Sequence, residues 1–202
     1  MGVRAAATEA TGQRILDAAT ALFGEQLFDQ VSLAAVARQA GVTVQTVIRR
    51  FGSKEQLHLT VARRRSVELR AARDAAPVGD VAGALTLLLE GYERWGEEIL
   101  HLLAQERRSP VIGEILDGAR RYHQAWVARM FAPQLAHLEA SPRQQHELGQ
   151  QHELAKLVAA TDLYTWKVLR HDTRLDADQT RIAITEIVTA IIDRLEPHDQ
   201  DS

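Results

Sequence analysis

The chain contains no cysteine, which excludes a disulfide framework and a thiolate metal site. No stretch approaches the roughly 18 apolar residues of a membrane helix. The first residues, MGVRAAATEATGQ, lack the apolar core of a secretory leader. The expectation is a cytoplasmic protein with no membrane partner. Proline is scarce, five in 202 residues. No segment alternates apolar and polar residues as a half-buried strand does. An all-α fold of about nine helices follows. No nucleophile–base pairing, glycine-rich phosphate loop or nucleotide fingerprint is visible, so no catalytic residue and no cofactor is assigned, and an enzyme is the remote alternative. His146 and His152 are six apart. A helical zinc motif needs a spacing of about four, so no metal site is assigned.

What the chain does have is the stretch Ser32–Phe51, SLAAVARQAGVTVQTVIRRF. Ser32 suits the N-cap of a helix, because its hydroxyl accepts from an otherwise unpaired backbone N–H. Leu33, Val36, Ala37 and Ala40 form one apolar face at helical spacing. Gly41 tolerates the left-handed conformation that ends a helix. Val42 plugs the angle, Thr43 is a second N-cap, and Val44–Arg50 forms a second short helix. Helix, glycine-bearing turn and helix make a helix-turn-helix, whose second helix enters the DNA major groove.

The flanking residues extend this pattern. Ile15-Leu16, Ala18-Ala19 and Leu22-Phe23 precede it, with Phe28-Asp29 and Val31-Ser32 leading in. Val36-Ala37, Ala40-Gly41-Val42, Thr46-Val47, Phe51 and Ser53-Lys54-Glu55 with Leu57 complete it. The run Gln13–Leu57 resembles the TetR family of bacterial transcription regulators. The resemblance covers roughly the first third of the chain. Ile48 stands where the family usually has a phosphate-contacting tyrosine, Gln45 where it often has glycine, and Arg50 where it usually has Tyr or His. It implies a DNA-binding domain over residues 9–69, with the recognition motif at 32–51. A ligand-binding and dimerisation domain over 70–202 follows, as does a repressor released from double-stranded operator DNA by a small-molecule effector. The alternative is a ligand-independent DNA binder with a filled C-terminal core.

Charge agrees with this division. The net charge of −3 resolves into +4 over residues 1–75 and −7 over 76–202. The basic third carries the motif, and the acidic remainder repels phosphate. Ser32, Thr43, Val44, Gln45, Thr46, Ile48, Arg49, Arg50 and Lys54 are the DNA-facing candidates. Gln suits adenine and Arg suits guanine, while Thr, Lys and Arg also hold phosphate. The run Arg63-Arg64-Arg65, with Arg70 and Arg73, reads as a solvated face of the fourth helix.

Beyond the motif, residues 1–8 read as an irregular tail before a first helix at about 11–24. Later helices are expected near 54–76, 81–107, a short one from 110, then 118–138, 142–171 and 176–195. The last is apolar around most of its circumference, through Ile182, Ala183, Ile184, Ile187, Val188, Ala190, Ile191 and Ile192. Such a helix needs partners on two sides. The resemblance implies a homodimer through helices 8 and 9, here 142–171 and 176–195. Val158, Asp162, Ile184, Ile187, Val188 and Ile191 are placed in that interface. Tyr92, Trp95, Tyr122, Trp126, Met130 and Trp166 come from three C-terminal helices. They are the candidate lining of a pocket for an apolar or aromatic ligand.

Overall fold

The computed structural model describes residues 2–136 and 143–195, with side chains for 6–136 and 149–195. All regular structure among the described residues is helical. The helices are α1 (Gly2–Glu25), α2 (Leu33–Ala40), α3 (Val44–Phe51), α4 (Lys54–Arg73), α5 (Val81–Leu103), α6 (Pro110–Met130), α7 (Arg143–Ala160), α8 (Leu163–Lys167) and α9 (Ala177–Asp193). Single turns at Phe28–Gln30, Glu106–Arg108 and Ala132–Leu135, and a π-helical turn at Val168–Asp172, complete the described path.

Three segments differ from the sequence reading, each for a local reason. First, α1 starts at Gly2 rather than near Thr11. Ala5–Ala7 and Ala10 are strong helix formers, and the Thr11 hydroxyl returns to the Ala7 carbonyl at 2.9 Å. Second, the expected short helix at 110 and the expected 118–138 helix are one element, α6. Gly113 and Gly118 are not breaks, because Ile112, Leu116, His123, Trp126, Val127 and Met130 form a single buried row along it. Pro133 falls just beyond its end. Third, the expected 142–171 helix is interrupted at Thr161-Asp162. The Asp162 carboxylate accepts from the Tyr164 backbone N–H at 2.8 Å and starts α8 as its N-cap.

The chain divides into two units. The first comprises residues 1–69 together with 97–118, a segment that the sequence alone assigns to the C-terminal helices. In it α1 packs on α2 and α2 on α3. Ile15, Ala19, Val36, Val47 and Leu57 form the centre of its core. A second cluster joins Phe28 to Ile112 and Leu116, with Phe23, Leu102 and Leu103 alongside. The Gln105 side chain accepts from the Phe28 backbone N–H at 2.7 Å, holding the turn before α2 in place.

The second unit comprises residues 70–96 and 119–202. Leu85, Leu88 and Tyr92 of α5 and Trp126, Val127 and Met130 of α6 are buried in it. α7 packs against α9, with Leu157, Ile184 and Val188 all at 0% exposure. Asp176 and Gln179 cap α9 reciprocally, side chain to backbone in both directions.

Candidate functional site

The helix-turn-helix has the local chemistry its residues dictate. The Ser32 hydroxyl accepts from Ala35 N at 3.1 Å, and the Thr43 hydroxyl from Thr46 N at 3.2 Å. Gly41 adopts φ 65°, ψ 41°, a left-handed turn that a β-carbon would strain. Val42 N then donates back to the Ala37 carbonyl at 2.9 Å, closing the helix end. Val47 is fully buried and pins α3 against the core, so the opposite face of α3 is presented outward. On that face Thr43, Val44, Gln45, Ile48 and Arg49 are exposed and Thr46 is half-buried. The Thr43 and Thr46 hydroxyls lie 2.9 Å apart and share a hydrogen bond.

Two of the sequence candidates are engaged inside the unit. Arg50 reaches Glu9 of α1, Nη2 to Oε2 3.1 Å. Its guanidinium crosses α1 directly over Gly12, where a β-carbon would collide with Nε, Cζ and Nη2. An open groove of about 540 Å³ runs there, lined by Ala7, Thr8, Thr11, Thr46, Arg49 and Arg50. Lys54 turns inward. Its Nζ donates to the Phe28 carbonyl at 2.9 Å and lies 4.3 Å from the centre of the Phe28 ring. Beside it His58 is buried between Phe23 and Phe28, with ring centroids 4.4 and 5.0 Å away. Burial, with the Lys54 charge adding to it, lowers the His58 pKa to about 4.

The arginines of α4 are not a uniform solvated face. Arg64 pairs with Asp17 and Glu68, and Arg65 with Glu98. Arg70 lies over the Tyr122 ring, 4.5 Å to the centroid. Arg73 is 8% exposed, within the second unit's aromatic cluster. Its Cζ stands 5.1 Å from the Tyr92 ring centre and 6.0 Å from that of Trp126. A sequence signal for this exists. Leu69, Arg73 and Ala76 share one face of α4 and its extension, so Arg73 occupies an apolar position.

Of the ligand candidates, Tyr92, Trp126, Met130 and Trp166 are buried, and Trp95 and Tyr122 are half-buried. Tyr92 and Trp166 have ring centroids 6.0 Å apart. The polar tips are satisfied individually. Tyr92 donates to the Thr161 carbonyl at 2.9 Å, Trp166 Nε1 to Glu93 at 2.8 Å, and Tyr122 to Asp74 at 3.0 Å. His123 Nε2 shares a 3.2 Å contact with the Thr161 hydroxyl, while its Nδ1 is buried without a partner. Burial and the Arg73 charge lower the His123 pKa to about 4, against weaker opposition from Asp162 and the Val158 backbone. Burial raises the Tyr92 phenol to about 12, with Asp162 reinforcing it and Arg73 opposing.

The candidate interface residues separate into two groups. Ile184 and Val188 are at 0% exposure within one protomer and face its core. Ile187, 41% exposed, lies on another face of α9, where Ala183 and Ala190 follow the same spacing and half-buried Ile191 borders it. On α7, Ala155 and Ala159 are exposed and Val158 is half-buried.

Residues 15–61 match the family model described as "Bacterial regulatory proteins, tetR family". A comparison with curated protein sequences finds no match. Among solved structures, the chain is similar to a transcriptional regulator from Rhodococcus sp. RHA1 at a TM-score of 0.68 and 17% identity, covering 90% of this chain and 96% of that one. It is similar to a TetR-family regulator structure from Mesorhizobium loti at 0.66 and 18%, covering 93% and 97%. The multidrug binding protein EbrR, complexed with imidazole, matches at 0.57 and 22%, covering 94% and 91%. Residues 15–61 thus form a helix-turn-helix segment of the tetR family of bacterial regulatory proteins, and around it the chain has the all-α fold of TetR-like transcriptional regulators.

Proposed function

We propose that the chain is a cytoplasmic transcriptional repressor that binds a near-palindromic operator as a homodimer and leaves it when a small molecule occupies the second unit. The observation that carries this reading is the outward face of α3. Thr43, Val44, Gln45, Ile48 and Arg49 stand together on a helix whose other side is locked by buried Val47. Paired half-sites about one helical turn apart require a two-fold dimer. The row Ala183, Ile187, Ala190 and Ile191 on α9, with Ala155, Val158 and Ala159 on α7, suits a helical interface between two copies.

Release needs an element both functions bias. α4 begins beside the recognition helix and ends, at Arg73, in the aromatic cluster. An effector that binds only one position of α4 shifts operator affinity by its differential affinity for the two states, about 1–3 kcal/mol or roughly 5- to 150-fold. No helix of the described residues is long and apolar enough to cross a membrane.

Fluorescence anisotropy with promoter DNA of the protein's own gene tests the reading. Salt-dependent binding of two protomers per operator supports it, and equal weak affinity for unrelated DNA overturns it. A second reading, a ligand-independent DNA binder, is favoured by the near-complete burial of Tyr92, Trp126, Met130 and Trp166. A thermal-shift screen separates the two.

A further inference from the structure

We propose that Arg73 is the anchor of an anion site in the second unit, and that the effector is a carboxylate-bearing molecule with an apolar or aromatic body. This rests on the effector-released repressor above and names the class of molecule that reading leaves open.

The Arg73 guanidinium is more than nine-tenths buried, and its Nε has no hydrogen-bond partner. Among the described residues, no carboxylate forms an ion pair with it. A buried guanidinium stays charged, since arginine does not give up its proton in proteins. Its desolvation is offset only where an anion or a full set of acceptors meets it. The faces of Tyr92 and Trp126 supply cation–π attraction, and the C-terminal end of α4 supplies a weak negative potential. Neither provides the planar, bidentate acceptor that the guanidinium fork matches.

The neighbouring carboxylates are occupied. Asp74 receives both the Tyr122 hydroxyl and the Arg129 guanidinium. Asp162, whose charge is felt at Tyr92 and His123, caps α8 through Tyr164 N. With Arg70 stacked on Tyr122, three guanidinium groups, those of Arg70, Arg73 and Arg129, stand around this cluster against two carboxylates, Asp74 and Asp162. The local excess is cationic, in a unit whose overall charge is negative. An incoming carboxylate gains a charged partner at Arg73, and its apolar remainder is taken up where the closely packed rings of Tyr92 and Trp126 part to admit it. His123, unpartnered at Nδ1 and neutral around pH 7, adds one hydrogen-bonding position.

The test uses the full-length dimer and four probe pairs: benzoate, 2-naphthoate, indole-3-acetate and decanoate, each beside its neutral primary amide. Thermal shift and calorimetry are recorded for the natural protein, Arg73→Met and Arg73→Lys. The expected result is at least one acid bound tenfold or more tightly than its amide. Arg73→Met removes that preference without lowering the unliganded Tm, and Arg73→Lys keeps part of it. Acid and amide bound alike, a preference that survives Arg73→Met, or no acid bound by the natural protein would each overturn the proposal and make Arg73 a structural cation. The acid–amide comparison on the natural protein stands even if a variant fails to fold. Operator binding is measured on the same samples without probe. Its presence alongside a failed acid preference rejects the effector class alone, whereas its absence rejects the repressor reading itself.

Discussion

Arg50 on α3 and Glu9 on α1 form an ion pair, Nη2 to Oε2 3.1 Å, across the open backbone of Gly12. The pair holds one guanidinium back from the outward face of α3 and adds a negative charge beside it. Glu9 is largely exposed, so the pair itself stabilises the fold only weakly. Glu9→Gln should leave Tm nearly unchanged, release Arg50, and tighten operator binding a few-fold at low salt. Titrations at several salt concentrations should show a slope steeper by about one released counterion. Binding unchanged in strength and slope would mean that Arg50 takes no part in the contact.

Arg49 and Lys54 should behave as opposites, although both were legible as phosphate or base contacts. Arg49 is exposed on the outward face. Arg49→Ala should weaken operator binding at little cost in stability and, if the contact is to phosphate, reduce the salt slope by about one. Lys54 donates to the Phe28 carbonyl within the fold. Lys54→Met strands that carbonyl and should lower stability by about 1–3 kcal/mol. Its effect on the salt slope should be small, and a loss of affinity without loss of Tm would reassign Lys54 to the DNA.

The two buried histidines set an acid limit on the fold. His58 and His123 both have folded pKa values near 4, below the ordinary 6.5, and are neutral when folded. The unfolded chain takes up their protons first. Their full contribution is therefore present above about pH 6.5 and is lost as pH falls from there through about 4. Each accounts for on the order of 3 kcal/mol once both states are protonated. Tm measured from pH 7.5 to 4.5 should fall steeply below 6. His58→Leu and His123→Leu should each flatten that fall, and a wild-type Tm independent of pH over this range would contradict the assignment.

Two isoleucines on one helix should separate assembly from folding. Ile187 is 41% exposed on the protomer and Ile184 is 0% exposed. Ile187→Glu should give a folded monomer, seen as halved mass in sedimentation with secondary structure retained. Ile184→Glu places a charge in the protomer core and should unfold the second unit. If Ile187→Glu sediments as a dimer, this face of α9 is not the interface.

The DNA-binding motif was legible nearly to the residue because its boundaries are local chemistry. Ser32, Gly41 and Thr43 each cap or turn the chain by bonds within a few positions, and they do so whatever surrounds them. The later helices were less legible because their limits depend on packing. Gly118 reads in the sequence as the start of a separate helix, yet the buried row from Ile112 to Met130 carries one helix through it. Asp162 was assigned to an interface, and its carboxylate is also the cap that divides two helices. The same limit hid Arg73. Arg73 was read with the four other arginines of its helix, although Leu69 and Ala76 on the same face set it apart, and the rings of Tyr92 and Trp126 are what give that position its meaning.

The aromatic residues also divide the molecule optically. Trp95, Trp126 and Trp166, and Tyr92, Tyr122 and Tyr164, all lie in the segments 70–96 and 119–202. The unit that carries the helix-turn-helix has neither tryptophan nor tyrosine and is dark in intrinsic emission. Docking on DNA has no chromophore of its own at the point of contact. Once absorption by the DNA itself is corrected for, a change in emission when operator is added reports, without a label, on the other unit.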